Sequence, residues 1–410
     1  MGKSTRNLWS HFAPLGVEPE EVFMALRSLT GGTAKPEGAR TVVGHPGRFL
    51  VGTTNRGRPK IEPLAPMSES QVDDLVRKCA DLLAGSPGWT TFAVFGQFSS
   101  DVAAAGCDGL QVRTIDDLNL SPLTTMPPSS GVSEHPLQPA LRAALVDVRF
   151  TRAGDGFVSA ARRDRAARHA GNLVTLASWP TVRRPTAMPE TWNVVWDGAT
   201  GELRNARLYP GFHHAEIRDS DERPLAVRHS LPTVAHADLA AGRLFDLPAA
   251  LYLSDSLGTL WTNLQSLDTA DRRKADRALS WFALAEHEQD RSRAITSLAT
   301  AVEALLPGEP SSFCPECRQP VLGISKRFKR FLDQFAGVEL GKAFRDEVYA
   351  VRSRIAHGAQ LYQVDQELFG LRNDAWRDHL VARTAARAAL LNWLLEQRPG
   401  RGAASREPGG

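Results

Sequence analysis

From about residue 257 to residue 397, apolar side chains recur at the three-to-four-residue spacing of helices that bury one face. Ala275, Ala278, Leu279, Phe282 and Ala285 form one stripe. Ile295, Leu298, Ala299, Val302, Leu305 and Leu306 form a second, closed by Pro307-Gly308. A polar loop with three prolines follows, and a short basic helix is expected from about Ile324 to Phe335. Leu340, Phe344, Val348, Val351 and Ile355 mark a fourth helix. Trp376, Leu380, Leu391, Trp393 and Leu394 mark a last one, from about Asp374 to Gln397. Five helices of this kind make an all-α bundle of about 140 residues.

The first 250 residues are patterned differently. A helix is expected over Glu20 to Leu29, stopped by Gly31-Gly32. A second is expected from Ser68 to Ala84, opened by a capping box of Ser68 and Gln71 and striped by Val72, Leu75, Val76, Cys79 and Leu82. Strand patterns occupy residues 91–98, 144–150 and 192–196, and Asp197-Gly198 with Gly201 turns the last into a partner strand over 202–209. The stretch 120–139 holds five prolines among serines and threonines and reads as a loop. The pattern predicts an α+β domain over residues 1–250, a helical domain over 251–398 and a disordered tail over 399–410. No internal repeat, P-loop or glycine-rich dinucleotide motif is present.

Composition sets outer bounds. A chain of 410 residues with 42% hydrophobic and 23% charged side chains is that of a globular protein of two or three domains. No apolar run reaches the length of a membrane span, and the amino terminus leads into no signal-peptide core, so no membrane partner is expected. Four cysteines fit a reducing, cytoplasmic setting better than a disulfide framework. A formal charge of +3 is too small to argue for nucleic-acid binding by the chain as a whole.

Local chemistry is more specific. The run Tyr349-Ala-Val-Arg-Ser-Arg-Ile-Ala-His-Gly358 closes the fourth helix. A guanidinium presents a planar fork of donors to phosphate oxygens, and an imidazole titrates near neutral pH and can move a proton. Arg352 and His357 are therefore the candidate catalytic pair for phosphodiester cleavage. Five helical residues turn about 500°, so the two side chains diverge by about 140° and cannot share one face. A second copy of the helix would bring two such pairs into one cleft. Ser353, one turn before His357, is placed to hydrogen-bond it, and Glu303 on the second helix either orients Arg352 or is an ordinary helix-surface glutamate. Gly358 reads as a C-cap.

These residues, together with Ala301-Val-Glu-Ala-Leu-Leu306 and the Cys-x2-Cys loop, resemble the Apea-like branch of the HEPN superfamily. The resemblance covers roughly Leu257 to Gln397 and implies an all-α HEPN-type bundle acting as a homodimeric, metal-independent endoribonuclease, in many cases within toxin or anti-phage systems. Other members have lost activity and serve as interaction or ligand-sensing modules. On the first reading RNA is the partner, contacted by Lys326, Arg327, Lys329, Arg330 and Arg354, and a regulatory partner or ligand falls to the amino-terminal domain. Phe328 and Phe331, within the basic helix, lie at core spacing. Catalysis calls for no cofactor. Cys314 and Cys317 offer two of the four ligands that a structural zinc needs, a second copy supplying the others; the alternative is a loop with free thiols. The cluster Arg162-Arg163-x-Arg165-x-x-Arg168-His169 is either a solvated helix face or a phosphate contact. His213, His214, His229 and His236 lack metal-ligand spacing and read as exposed loop residues.

Overall fold

A computed structural model gives the fold. It describes residues 7–31, 34–37, 40–44, 48–54, 59–98, 103–114, 142–184, 192–196, 203–208, 212–213, 219–222, 229–244, 246–288, 290–306, 323–337, 340–358, 362 and 374–397.

Among these the elements in chain order begin with α1 (Trp9–Phe12), α2 (Pro19–Leu29), β1 (Ala34–Glu37), β2 (Arg40–Val43), β3 (Phe49–Thr53), β4 (Pro59–Pro63) and α3 (Glu69–Leu83). There follow β5 (Gly85–Gly96), β6 (Ala104–Cys107), β7 (Leu110–Thr114), β8 (Arg142–Ala153), α4 (Gly156–Ala177) and β9 (Ser178–Trp179). Next come β10 (Trp192–Trp196), β11 (Leu203–Leu208), β12 (Phe212–His213), β13 (Thr233–Val234), α5 (His236–Ala241) and β14 (Tyr252–Ser254). The chain then continues in α6 (Leu257–Ser266), α7 (Thr269–His287), α8 (Arg291–Glu303), α9 (Ile324–Phe335), α10 (Lys342–Ala356) and α11 (Asp374–Glu396). No helix among the described residues is long and apolar enough to cross a membrane.

The fold class is mixed α+β, with strands concentrated in the first part of the chain and helices in the last. Contacts divide it into two compact units. One holds residues Met1–Thr90, Val148–Arg168 and Arg218–Pro224; the other holds Thr91–Asp147, His169–Ile217 and Leu225–Gly410. The division runs through β5, β8 and α4 rather than along a boundary near residue 250. Long-range pairs explain why. The second half of α4 binds α7, with His169 Nε2 2.9 Å from Asp276 Oδ1 and Asn172 Nδ2 donating to Ser280 Oγ at 3.1 Å.

In the first unit β1 to β4 form an antiparallel meander whose Val43, Phe49 and Ile61 pack with Val22 and Leu26 of α2 and Val72, Cys79 and Leu83 of α3. The expected capping box opens α3: Ser68 Oγ accepts from the Gln71 N–H at 3.3 Å, and Gln71 Oε1 accepts from the Ser68 N–H at 2.8 Å. Burial pushes the Cys79 thiol up to about 12. The basic cluster of α4 is neither a solvated face nor a phosphate contact at Arg162 and Arg165. Glu21 is buried, and Arg162 and Arg165 hold its carboxylate at 2.9 and 2.6 Å. A buried carboxylate needs such partners, and that requirement fixes the arginines.

In the second unit β5, β8, β7 and β6 lie side by side in that order. Asp147, fully buried on β8, accepts from Arg113 Nε at 2.6 Å and Thr91 Oγ1 at 2.7 Å. β10 and β11 pair antiparallel, Trp192 opposite Leu208, as the turn residues predict. Five of the helices, α7 to α11, occupy the five segments expected from periodicity, and α5 and α6 precede them. α11 sits against α5, α6, α7, α8, α9 and α10. Its residues 385–391 are buried all round, and its neighbours approach closely because Ala382, Ala385, Ala386, Ala388 and Ala389 are all buried. Asn263 Nδ2 donates to the Leu394 carbonyl at 2.9 Å, tying α6 to it.

Candidate functional site

α10 forms because Val348 and Val351 bury one face while charged residues take the other. It stops at His357-Gly358. Gly358 has a φ of +71°, the left-handed value that ends helices and suits glycine. His357 donates its backbone N–H to the Ser353 carbonyl at 3.0 Å, so Ser353 meets His357 through main chain. Its own hydroxyl has no hydrogen bond to the imidazole among the described residues.

Arg352 lies half-buried between α10 and α8. Its Nη2 is 3.0 Å from Glu303 Oε1 and 3.3 Å from Oε2. Glu303 is the last residue of α8, so the carboxylate at one helix end fixes the guanidinium near the end of another. A planar guanidinium held through one terminal nitrogen keeps other N–H donors available to a phosphate. His357 is exposed in the helix C-cap. Arg354 is exposed beside it, its Nη2 4.0 Å from Asp378 Oδ2.

α9 packs on α10 through Phe328, whose ring centroid lies 5.3 Å from that of Tyr349, and Ser325 Oγ donates to the Tyr349 hydroxyl at 2.6 Å. Phe328 and Phe331 are buried, as their spacing predicts, and do not face solvent for base stacking. The basic side chains of α9 divide. Lys326 and Arg330 are exposed, Arg327 is half-buried, and Lys329 pairs with Asp346 at 2.8 Å, an exposed pair that draws the Asp346 carboxyl below its ordinary range chiefly through that hydrogen bond. The structure therefore gathers Arg352, Glu303, Ser353, Arg354 and His357 at one end of α10 and sets the α9 basic residues on the helix that packs against it.

Comparison with protein-family models, curated proteins and solved structures finds no match to this chain.

Cys314 and Cys317 lie outside the described residues, as do the loop 120–139, the tail 399–410 and His214. Among the described residues no group of three or more His, Cys, Asp or Glu side chains is placed to hold a metal ion. His229 is exposed, as expected. His236 is not a loop histidine: it is the first residue of α5, half-buried, with Nε2 2.7 Å from Asn392 Oδ1, because the amide of α11 needs a partner there. A further charged group went unread. Arg383 and Arg387 stand four residues apart on α11 among alanines and leucines, and that apolar setting was the available signal.

Proposed function

We propose that α7 to α11 form an RNA-cleaving module of HEPN type that completes its site with a second copy of the chain. The observation that carries this reading is the pairing of an arginine oriented by Glu303 at 3.0 Å with an exposed histidine five residues on, at a glycine-stopped helix end. Arg352 and His357 diverge by about 140°, so one copy presents them to different surfaces. A two-fold contact around the end of α10 would place two arginines and two histidines along one phosphodiester.

The chemistry follows from those groups. The RNA 2′-oxygen attacks phosphorus while one imidazole takes its proton, the bond from phosphorus to the 5′-oxygen breaks, and a second imidazole protonates the leaving oxygen. The products are a 2′,3′-cyclic phosphate and a 5′-hydroxyl, so DNA resists cleavage. Arg352 stabilises charge developing on the phosphate oxygens. Lys326, Arg327, Arg330 and Arg354 supply backbone contacts, whose strength falls as salt rises. In this scheme the protein works in the cytoplasm on cellular or invading RNA.

A second reading is an interaction or ligand-sensing module, favoured by the ion pair itself, since a neutralised Arg352 also serves as a plain packing contact between α8 and α10. RNA cleavage by wild type, His357→Ala and Arg352→Ala, with and without EDTA, separates the two. Cleavage that survives EDTA and falls in both variants supports the nuclease. Equal activity in wild type and His357→Ala refutes it.

A further inference from the structure

α8 is about 18 Å long, and a second charged group lies at its other end, around its first residue, Arg291. Glu286 near the end of α7 is buried, and Arg383 of α11 holds both its oxygens, from Nε at 2.6 Å and from Nη2 at 3.0 Å. Arg383 also donates to the Thr181 hydroxyl, and Arg387 donates to the same oxygen at 2.6 Å. Arg387 is 3% exposed, and its guanidinium carbon lies 5.6 Å from the centroid of the Phe282 ring. Its Nε is buried without an acceptor among the described residues. Arg183 is exposed, and its guanidinium is lowered chiefly by partial burial, opposed by the Glu286 carboxylate and reinforced by Arg383 and Arg291.

The histidines add no negative charge. Arg291 Nη1 lies 3.2 Å from His379 Nδ1, and a guanidinium only donates, so Nδ1 accepts and the ring is neutral. Burial, then Arg291 and Arg383, push His379 down to about 4, and burial and Arg183 lower His287 as well. Burial pushes the Arg387 guanidinium down to about 9, which leaves it charged at neutral pH. Among the described residues, the carboxylates of Asp290 and Asp378 are engaged elsewhere. Asp290 accepts from the first N–H groups of α8, and Asp378 accepts from the Tyr362 hydroxyl.

The guanidiniums of Arg383, Arg387 and Arg183 thus act on one carboxylate, and Arg291 adds a fourth positive charge beside His379. Among the described residues the Arg387 Nε at the buried end is an unused donor, and Arg183 is exposed. Buried like charges are costly unless a counter-charge meets them. Guanidinium forks match tetrahedral oxyanions, and a threonine hydroxyl between two of them is a neutral partner for the same oxygens. We propose that Arg183, Arg291, Arg383 and Arg387, with Thr181, form a binding site for a phosphate-class oxyanion, distinct from the Arg352 and His357 site. The ligand is either free phosphate or the phosphoryl end of a larger molecule.

The test uses the full chain at constant ionic strength, with inorganic phosphate, adenosine 5′-monophosphate and chloride as probes. Isothermal titration should show saturable phosphate binding, accompanied by a rise in Tm that chloride does not give. Binding of the nucleotide at least about tenfold tighter than phosphate assigns the site to a phosphoryl ligand, and equal or weaker binding to the free anion. Arg183→Gln, an exposed change that leaves the fold intact, should weaken binding about tenfold or more, the scale of one charge-assisted hydrogen bond. Arg387→Met should abolish it. If phosphate and nucleotide give no saturable heat and no shift beyond chloride, or if binding persists unchanged in both variants, the proposal is wrong.

Discussion

The two ends of α8 use arginine in opposite ways. At its last residue one carboxylate meets one guanidinium, both partly wetted, and the charge closes locally between Glu303 and Arg352. At its first turn one carboxylate, Glu286, is buried and faces several guanidiniums. The lesson concerns what an ion pair is for. A part-exposed single pair contributes little to stability and mainly fixes an orientation. A buried, unbalanced group is costly if either partner is lost, and its excess charge marks a place where something anionic belongs.

That contrast can be broken most directly at Glu286. Glu286→Gln should destabilise the protein by about 3–5 kcal/mol in urea unfolding, because it strands Arg383 and Arg387 without their counter-charge. A loss under about 1 kcal/mol would mean that the cluster is better solvated than its burial implies. The next largest effect lies at the other end. His357→Ala and Arg352→Ala should each lower RNA cleavage by at least about a hundredfold, with the histidine change leaving the unfolding midpoint within about 0.5 kcal/mol of wild type. Unfolding of His357→Ala at the assay temperature would assign that side chain to structure instead.

pH sharpens the comparison further. The His379 ring sits at about 4 in the folded state against an ordinary value of 6.5, so between those values the unfolded chain binds a proton that the folded chain does not. Stability from this group is complete above about pH 6.5 and is lost as pH falls toward 4, by at most about 3 kcal/mol. The slope of stability against pH should flatten in His379→Asn across that window; identical slopes would show that the ring is not the titrating group. The smallest effect is expected for Glu303→Gln, about 1 kcal/mol or less in the same unfolding measurement. A cost as large as that of Glu286→Gln would erase the distinction between the two helix ends.

What was legible in the sequence was local. The Ser68 and Gln71 box, the Trp192 to Leu208 hairpin and the five carboxy-terminal helices are all set by spacing of a few residues, and all stand where the pattern puts them. The meander β1 to β4 was missed because strands of four or five residues broken by Pro36, Gly52 and Pro59 carry too short an alternation to read. Glu21 with Arg162, and Asp147 with Arg113, join residues far apart in sequence, and no periodicity announces such pairs. The unit division failed to follow residue 250 for the same reason. At the candidate site, of the two roles open to Glu303 the structure shows the pairing with Arg352, at 3.0 Å. Ser353 was nominated through its hydroxyl and meets His357 through its carbonyl, because helix geometry already satisfies that N–H.

The buried alanines of α11 carry a consequence for how this chain can vary. Ala382, Ala385, Ala386, Ala388 and Ala389 each have almost no exposed surface, on a helix touched by six others. An added methylene there has no empty direction in which to go, so it must push a neighbouring helix outward. Across a library of single substitutions, α11 should be the segment where even valine or serine is purged, while the solvent-facing positions of α3 drift freely. Any lineage of this sequence would then keep a small-residue signature along α11 long after its loops and surface charges had diverged beyond recognition.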